Sequence, residues 1–332
     1  MKRRRALMVG AASLVAPAAR AQGIKQRGVR FPSRDGTMLA GTLLLPLASE
    51  RQYVPGVVLV AGSGPTDRDG NNPLLPGRID TLRLIAERLA RGGIASLRYD
   101  KRGIGASTPS PPALAEQERF FTWGSFVADL RAAHVELLRH DEIKPYATAL
   151  LGHSEGGLLA LAALSEIEWR RPHALVLAAT PGRPMGEIVR RQIARTAPGL
   201  VKATDEIMTA IRDTGHAPAD LPRELQALFP PYIGPFLQGA FAFDPAKALA
   251  AIDTSCLLAH GGADSQIVPM DDIQPLIDVL GQRRGAGEAL IVPAVSHNLK
   301  PVTSPVDPGF AGPLAPAIAE KIAGWLGFVL GA

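Results

Sequence analysis

Gly152-His153-Ser154-Glu155-Gly156 follows the apolar run Ala147 to Leu151 and opens a helical pattern. A G-x-S-x-G pentapeptide between a strand and a helix lifts its serine hydroxyl above the sheet edge, at a helix N-terminus whose unpaired N–H groups favour developing negative charge. Its two glycines suit a strained turn packed against neighbouring backbone, where a Cβ would clash. A serine hydroxyl is a weak nucleophile near neutral pH, so it needs a base to take its proton and a carboxylate to orient that base. Both candidates lie downstream in the order that this kind of site uses. His260-Gly261-Gly262-Ala263-Asp264 ends one apolar run, Val295-Ser296-His297-Asn298 follows the last one, and His297 is the only histidine after Asp264. Acyl transfer is the expected chemistry, with Ser154 as nucleophile, His297 as base and Asp264 as orienting acid. Asp271 and Asp272 rival Asp264, but they open a helical pattern and fit helix capping better.

A tetrahedral oxyanion needs two preorganised donors, one from the residue after the nucleophile and one from the loop after the third strand. Those positions are the backbone N–H groups of Glu155 and Ser63, the latter in Ala61-Gly62-Ser63-Gly64-Pro65. The Glu155 side chain is expected to point away while its N–H works. A phosphate-binding reading of the glycine-rich loop lacks both the dinucleotide fingerprint and the Walker lysine. Asp67, Arg68 and Asp69 are expected to brace this loop, and the charged turn Asp100 to Ser107 to fix its surroundings through ion pairs.

The elements that must hold these groups alternate short Val/Leu/Ile-rich runs with longer helical patterns, the signature of a mostly parallel sheet covered by helices. Strands are expected at Met38 to Leu45, Gly56 to Val60, Ile94 to Tyr99, Ala147 to Leu151, Ala174 to Ala179, Cys256 to Ala259 and Ala289 to Val292. Helices are expected at Ile79 to Arg91, Trp123 to Arg139, Glu155 to Glu168, Asp271 to Leu280 and Ile318 to Leu330. About seventy-five residues separate the strands on either side of Ala179 and Cys256, far more than an ordinary connection. That interval, with helical patterns at Met185 to Ala197, Ala203 to Arg212 and Leu221 to Leu228, reads as a helical cap over residues 181–249. Its aromatic residues Phe229, Tyr232, Phe236 and Phe241 are candidates for the wall of an acyl pocket, or for packing the cap onto the core. The core itself is expected to comprise residues 22–180 and 250–332.

The chain of 332 residues is 46% apolar, enough for a large core. Its formal charge of +5 comes from five basic residues within positions 1–21, leaving 31 basic against 31 acidic side chains, so no footprint for nucleic acid remains. Those first residues run from a basic start through an apolar stretch to Ala19-Arg20-Ala21, the pattern of a cleavable export signal, too short to span a bilayer. Periplasmic or secreted location, with no stable membrane insertion after cleavage, is the expectation; a single cysteine, Cys256, permits no intramolecular disulfide and reads as a buried thiol.

Taken together, Gly62 to Asn71, Arg98 to Ser107, Gly152 to Gly157 and the Asp264 and His297 segments resemble bacterial α/β-hydrolase esterases related to the serine aminopeptidase-like hydrolases and monoacylglycerol lipases, over roughly residues 27–330. The resemblance implies the α/β-hydrolase fold with a cap after the sixth strand, and hydrolysis of small carboxylic esters without cofactor or metal. Ala61 stands where that family commonly has histidine. Two other functions stay open at this point: an aminopeptidase using Glu187, Asp205, Glu206 or Asp213 to hold a substrate amine, and a non-catalytic binding protein on the same fold.

Overall fold

The computed structural model describes residues 24–46, 53–107, 112–304 and 306–332. The expected export signal lies outside the described residues. Along the chain run β1 (Ile24–Pro32), β2 (Met38–Pro46), β3 (Val54–Val60), α1 (Thr81–Arg91), β4 (Ala95–Tyr99), α2 (Leu114–Phe120), α3 (Trp123–Leu138), β5 (Ile143–His153), α4 (Glu155–Glu166) and β6 (Ala174–Ala178). There follow α5 (Met185–Thr196), α6 (Val201–Thr214), α7 (Gly234–Ala242), α8 (Pro245–Ala250), β7 (Ser255–Gly261), α9 (Gln274–Leu280), β8 (Gly287–Val292) and α10 (Pro316–Leu330).

Eight strands form one sheet in the order β1-β2-β4-β3-β5-β6-β7-β8. The β1–β2 and β2–β4 pairs are antiparallel; all pairs from β4 through β8 are parallel. This is the α/β-hydrolase fold. Alternation along β3 shows why a continuous apolar run sits at the centre: Val58 and Val60 face one hydrophobic layer, Val57 and Leu59 the other, and all four are fully buried. Each such side chain contributes roughly 1.5–3 kcal/mol by leaving water. One layer holds α3, α4 and buried residues of α5 to α8; the other holds α1 and α10.

From β3 the chain moves outward to β4 and then returns across β3 to β5, so connections diverge on either side of the β3–β5 boundary. Open α/β sheets form their ligand crevice at such a switch point, beyond the strand carboxyl ends. The parallel register Val60↔Gly152 sets the loop after β3 directly beside the turn after β5.

Several sequence expectations shift. The first strand, β1, is an edge strand with charged residues on its exposed positions, which hid its alternation. Helices α2, α7 and α8 are short and carried no strong 3.6-residue pattern. Leu221 to Leu228 forms only a single 3₁₀ turn, Arg223–Leu225, rather than a helix, since Pro222 precedes it and Leu225 alone of that turn is buried. The helix expected from Asp271 starts at Gln274, and Asp272 does not cap it: its carboxylate accepts from Val268 N–H at 2.9 Å and lies fully buried beside Arg191 and Arg195.

Candidate active site

Ser154 occupies the turn between β5 and α4 with φ 55° and ψ −124°, a conformation that costs a residue with a Cβ on the order of 1–3 kcal/mol. Neighbours hold it there. Ser154 N–H donates to Ala178 O at 2.8 Å, and the Gly157 N–H donates back to Ser154 O at 2.9 Å. A Cβ on Gly152 would lie 2.2 Å from Gly156 O, and one on Gly156 only 2.4 Å from Val60 O, so the first turn of α4 can press onto the end of β3 only without side chains. The half-buried serine stands at the N-terminus of the twelve-residue α4, and among the described residues its hydroxyl takes no hydrogen bond.

The other two groups come from the ends of β7 and β8. Asp264 is buried and uses its two oxygens differently: Oδ1 accepts the N–H groups of Gln266 at 2.8 Å and Ile267 at 2.9 Å, while Oδ2 pairs with His297 Nδ1 at 2.7 Å. Burial pushes the Asp264 carboxyl up, but the charge and hydrogen bond of His297 and the Ile267 N–H outweigh it, and the carboxyl lies below its ordinary value. A carboxylate only accepts, so Nδ1 carries a proton, and in the neutral ring that leaves Nε2 as the lone-pair nitrogen. The two loops are tied directly, Ala263 N–H donating to Val295 O at 2.9 Å. The His297 turn is closed by Ser296 N–H on Lys300 O at 2.8 Å, and Lys300 Nζ reaches Phe310 O at 2.7 Å.

Ser154 and His297 are drawn together through the residue between the glycine and the serine. His153 Nε2 donates to the carbonyl oxygen of His297 at 2.9 Å, and the two rings lie 5.0 Å apart. Burial, with the nearby His297 next, pulls His153 down to about 4, so it is a neutral donor near neutral pH. His260 is likewise buried, pulled down to about 4 mainly by burial, and bonds Thr180 O at 3.1 Å.

Opposite, the loop after β3 touches Ser154: a Cβ on Gly62 would lie 3.2 Å from Ser154 Cβ. Neither Ser63 N–H nor Glu155 N–H is used in a hydrogen bond among the described residues, as two oxyanion donors require. Asp67, Arg68 and Asp69 brace this loop. Asp67 Oδ1 accepts the N–H groups of Asp69 and Asn71, both at 2.9 Å; Arg68 pairs with Asp100 at 2.6 Å; Asp69 pairs with Arg98.

Sequence reasoning missed one part. The Glu155 side chain does not point away: it is buried and pairs at 3.6 Å with Lys101, whose ammonium also donates to Gly62 O and Gly64 O. Only the unusual carboxylate beside the nucleophile signalled it.

Phe229, Phe236 and Phe241 are buried in the hydrophobic layer shared with α3 and α4; Phe236 packs on Trp123 at 5.6 Å and on Phe126 at 4.9 Å, while the more exposed Tyr232 leans on Phe121 at 5.4 Å. These contacts join the interval between β6 and β7 to α3 and to Phe121 just before it. In the same interval, Arg191 and Arg195 of α5 face Asp272, and Gln192 and Arg195 donate to Gln266 O, each at 3.1 Å. Cys256 is buried within β7, and burial pushes its thiol up to about 12, which leaves it inert.

Residues 77–226 match the model of a family described as serine aminopeptidase, S33. Esterase EstD of Thermotoga maritima is 26% identical over 304 residues, covering 89% of this chain and 68% of the relative. Among solved structures, Est1E from Butyrivibrio proteoclasticus with bound ferulic acid superposes with a TM-score of 0.58 at 17% identity, over 91% of this chain and 98% of that one. The α/β-hydrolase GrgF from Penicillium gives 0.59 at 18%, over 93% and 100%.

Proposed function

We propose that this α/β-hydrolase, a carboxylesterase-type enzyme by its kinship with EstD, cleaves carboxylic esters through an acyl-enzyme formed on Ser154. The observation that carries the proposal is the buried Asp264–His297 pair, bonded at 2.7 Å and set beside the strained serine turn at the carboxyl edge of the sheet. His297 Nε2 takes the Ser154 proton as Oγ attacks the ester carbonyl carbon. The carbonyl π electrons move onto oxygen, which the N–H groups of Ser63 and Glu155 stabilise together with the N-terminus of α4. As the tetrahedral species collapses, the C–O bond to the alcohol breaks and the His297 imidazolium returns its proton to the leaving oxygen. Water then repeats the sequence on the acyl-enzyme, releasing the acid and restoring Ser154. Throughout, Asp264 stays ionised, fixes the tautomer and stabilises the imidazolium.

Residues 181–249 would act as a cap over this crevice, held by the α3 aromatics and by Asp272. Three of the four acids that an aminopeptidase could use are engaged at the surface, Glu187 with Arg183, Asp205 with Arg190 and Glu206 with Lys202, while Asp213 forms no ion pair among the described residues. This favours ester over peptide hydrolysis. Export guided by residues 1–21 completes the proposal, since their composition is that of a cleavable signal. Hydrolysis of nitrophenyl esters of increasing chain length, compared with aminoacyl-anilides, tests it: ester turnover abolished by Ser154→Ala is expected, and exclusive anilide cleavage would overturn it.

A further inference from the structure

The two oxyanion donors come from different elements, Ser63 from the loop after β3 and Glu155 from the first turn of α4. Their mutual spacing must hold to a few tenths of an ångström, because donors stabilise a tetrahedral oxygen only at about 2.7–3.1 Å from its final position. Backbone hydrogen bonds alone do not link the two amides. A buried side-chain bridge does. Lys101 follows β4, the strand next to β3, and its ammonium donates to the carbonyls of Gly62 and Gly64, the residues on both sides of Ser63. The same ammonium lies 3.6 Å from the carboxylate of Glu155, whose own N–H is the second donor.

We propose that Lys101 and Glu155 are positioning residues that fix the two halves of the oxyanion hole against each other. With both carbonyls flanking Ser63 turned toward Lys101, the peptide between Gly62 and Ser63 is oriented, which leaves Ser63 N–H facing the other way, into the crevice. Glu155 then anchors the ammonium to the helix that carries the nucleophile. Both side chains are nine-tenths buried or more, so the bridge is shielded from salt and solvent. Burial pulls the Lys101 ammonium below its ordinary value and pushes the Glu155 carboxyl up, each opposed by the other's charge. Neither group touches the reacting atoms; both act through the backbone.

The inference rests on the esterase proposal and deepens it. Its test is Lys101→Met/Glu155→Gln, which removes both charges together and strands neither, with p-nitrophenyl butyrate as substrate and an alkyl trifluoromethyl ketone as the oxyanion mimic. Loss of a single oxyanion donor typically costs about 10²–10³-fold in kcat. The double variant should fold cooperatively, lose roughly 10²-fold in kcat with KM within about threefold, and bind the ketone more weakly by a similar factor. Each single variant should lose about as much as the double, because one bridge is broken in every case. If the double variant does not fold, Glu155→Asp keeps the charge but shortens the reach, and the same kcat-selective loss is expected. A folded variant with kcat unchanged, or with its loss confined to KM and ketone binding intact, would overturn the inference. Ser154→Ala run in parallel separates the two levels: a dead Ser154→Ala beside an unimpaired double variant defeats only the positioning role, whereas an active Ser154→Ala defeats the esterase proposal itself.

Discussion

His153 Nε2 donates to the carbonyl oxygen of His297 at 2.9 Å, so the residue preceding Ser154 holds the backbone of the residue proposed to deprotonate it. The serine turn and the histidine loop are thereby joined without help from substrate. A neutral His153 can do this; a change to a residue without the Nε2 donor leaves the His297 carbonyl to water or to nothing.

Ser154→Ala is expected to lower kcat for ester hydrolysis by roughly 10⁴-fold or more, as removal of a nucleophile from such a unit does. Thermal unfolding should stay cooperative, since one exposed-edge hydroxyl is lost. Near-normal turnover in a contamination-free sample would exclude Ser154 as the nucleophile.

His297→Ala should be about as damaging as Ser154→Ala, with Asp264→Asn less so, at around 10⁴-fold, because the acid acts by orienting the base. A neutral Asp264→Asn variant would move the orienting role away from Asp264. Asp272 is not a ready replacement, for its carboxylate already serves Val268 N–H and the α5 arginines.

Acid should destabilise the protein within a definite window. His134, His153 and His260 are each pulled by burial from the ordinary 6.5 to about 4, so the unfolded chain binds more protons than the fold between those values. Stability is therefore fully present above about 6.5 and is lost as pH falls toward 4, each histidine contributing a slope of about 1.4 kcal/mol per pH unit inside the window. Asp264, also held below its ordinary value, adds a loss at still lower pH. Denaturant midpoints measured from pH 7 to pH 4 should fall steeply, and His134→Gln should flatten the slope; a flat profile would show that these rings are not held neutral.

Phe236→Ala should cost about 3–5 kcal/mol of stability, because the ring is buried between Trp123 and Phe126. Chain-length preference among nitrophenyl esters should change little. A shift of tenfold or more between neighbouring chain lengths, in a variant of undiminished stability, would return Phe236 to the acyl pocket.

What was legible in the sequence was local. The serine turn, the glycines around it, the Asp264 turn and the His297 loop each declare themselves within a few residues, because strain and close approach restrict which residue types fit. The buried strands were equally plain, since burial on both faces demands continuous apolar runs. What stayed hidden depends on strand order. Lys101 meets Glu155 only because β4, β3 and β5 lie side by side, and Asp272 meets Arg191 only because α5 folds back onto the loop after β7. The ring partners of Phe236, Trp123 and Phe126, belong to α3, more than a hundred residues earlier in the chain, so no local pattern could reveal them.

The positive φ of Ser154 places the proposed nucleophile in a strained backbone conformation. Glycine enters that region without penalty, so Ser154→Gly would trade all catalysis for a more relaxed chain, in contrast to Ser154→Ala, which keeps the strain. Such a variant would be an inactive but hardier scaffold for holding intact ester substrates during crystallisation. It also implies that random selection for thermal stability alone, with no demand for turnover, would tend to erase the proposed nucleophile.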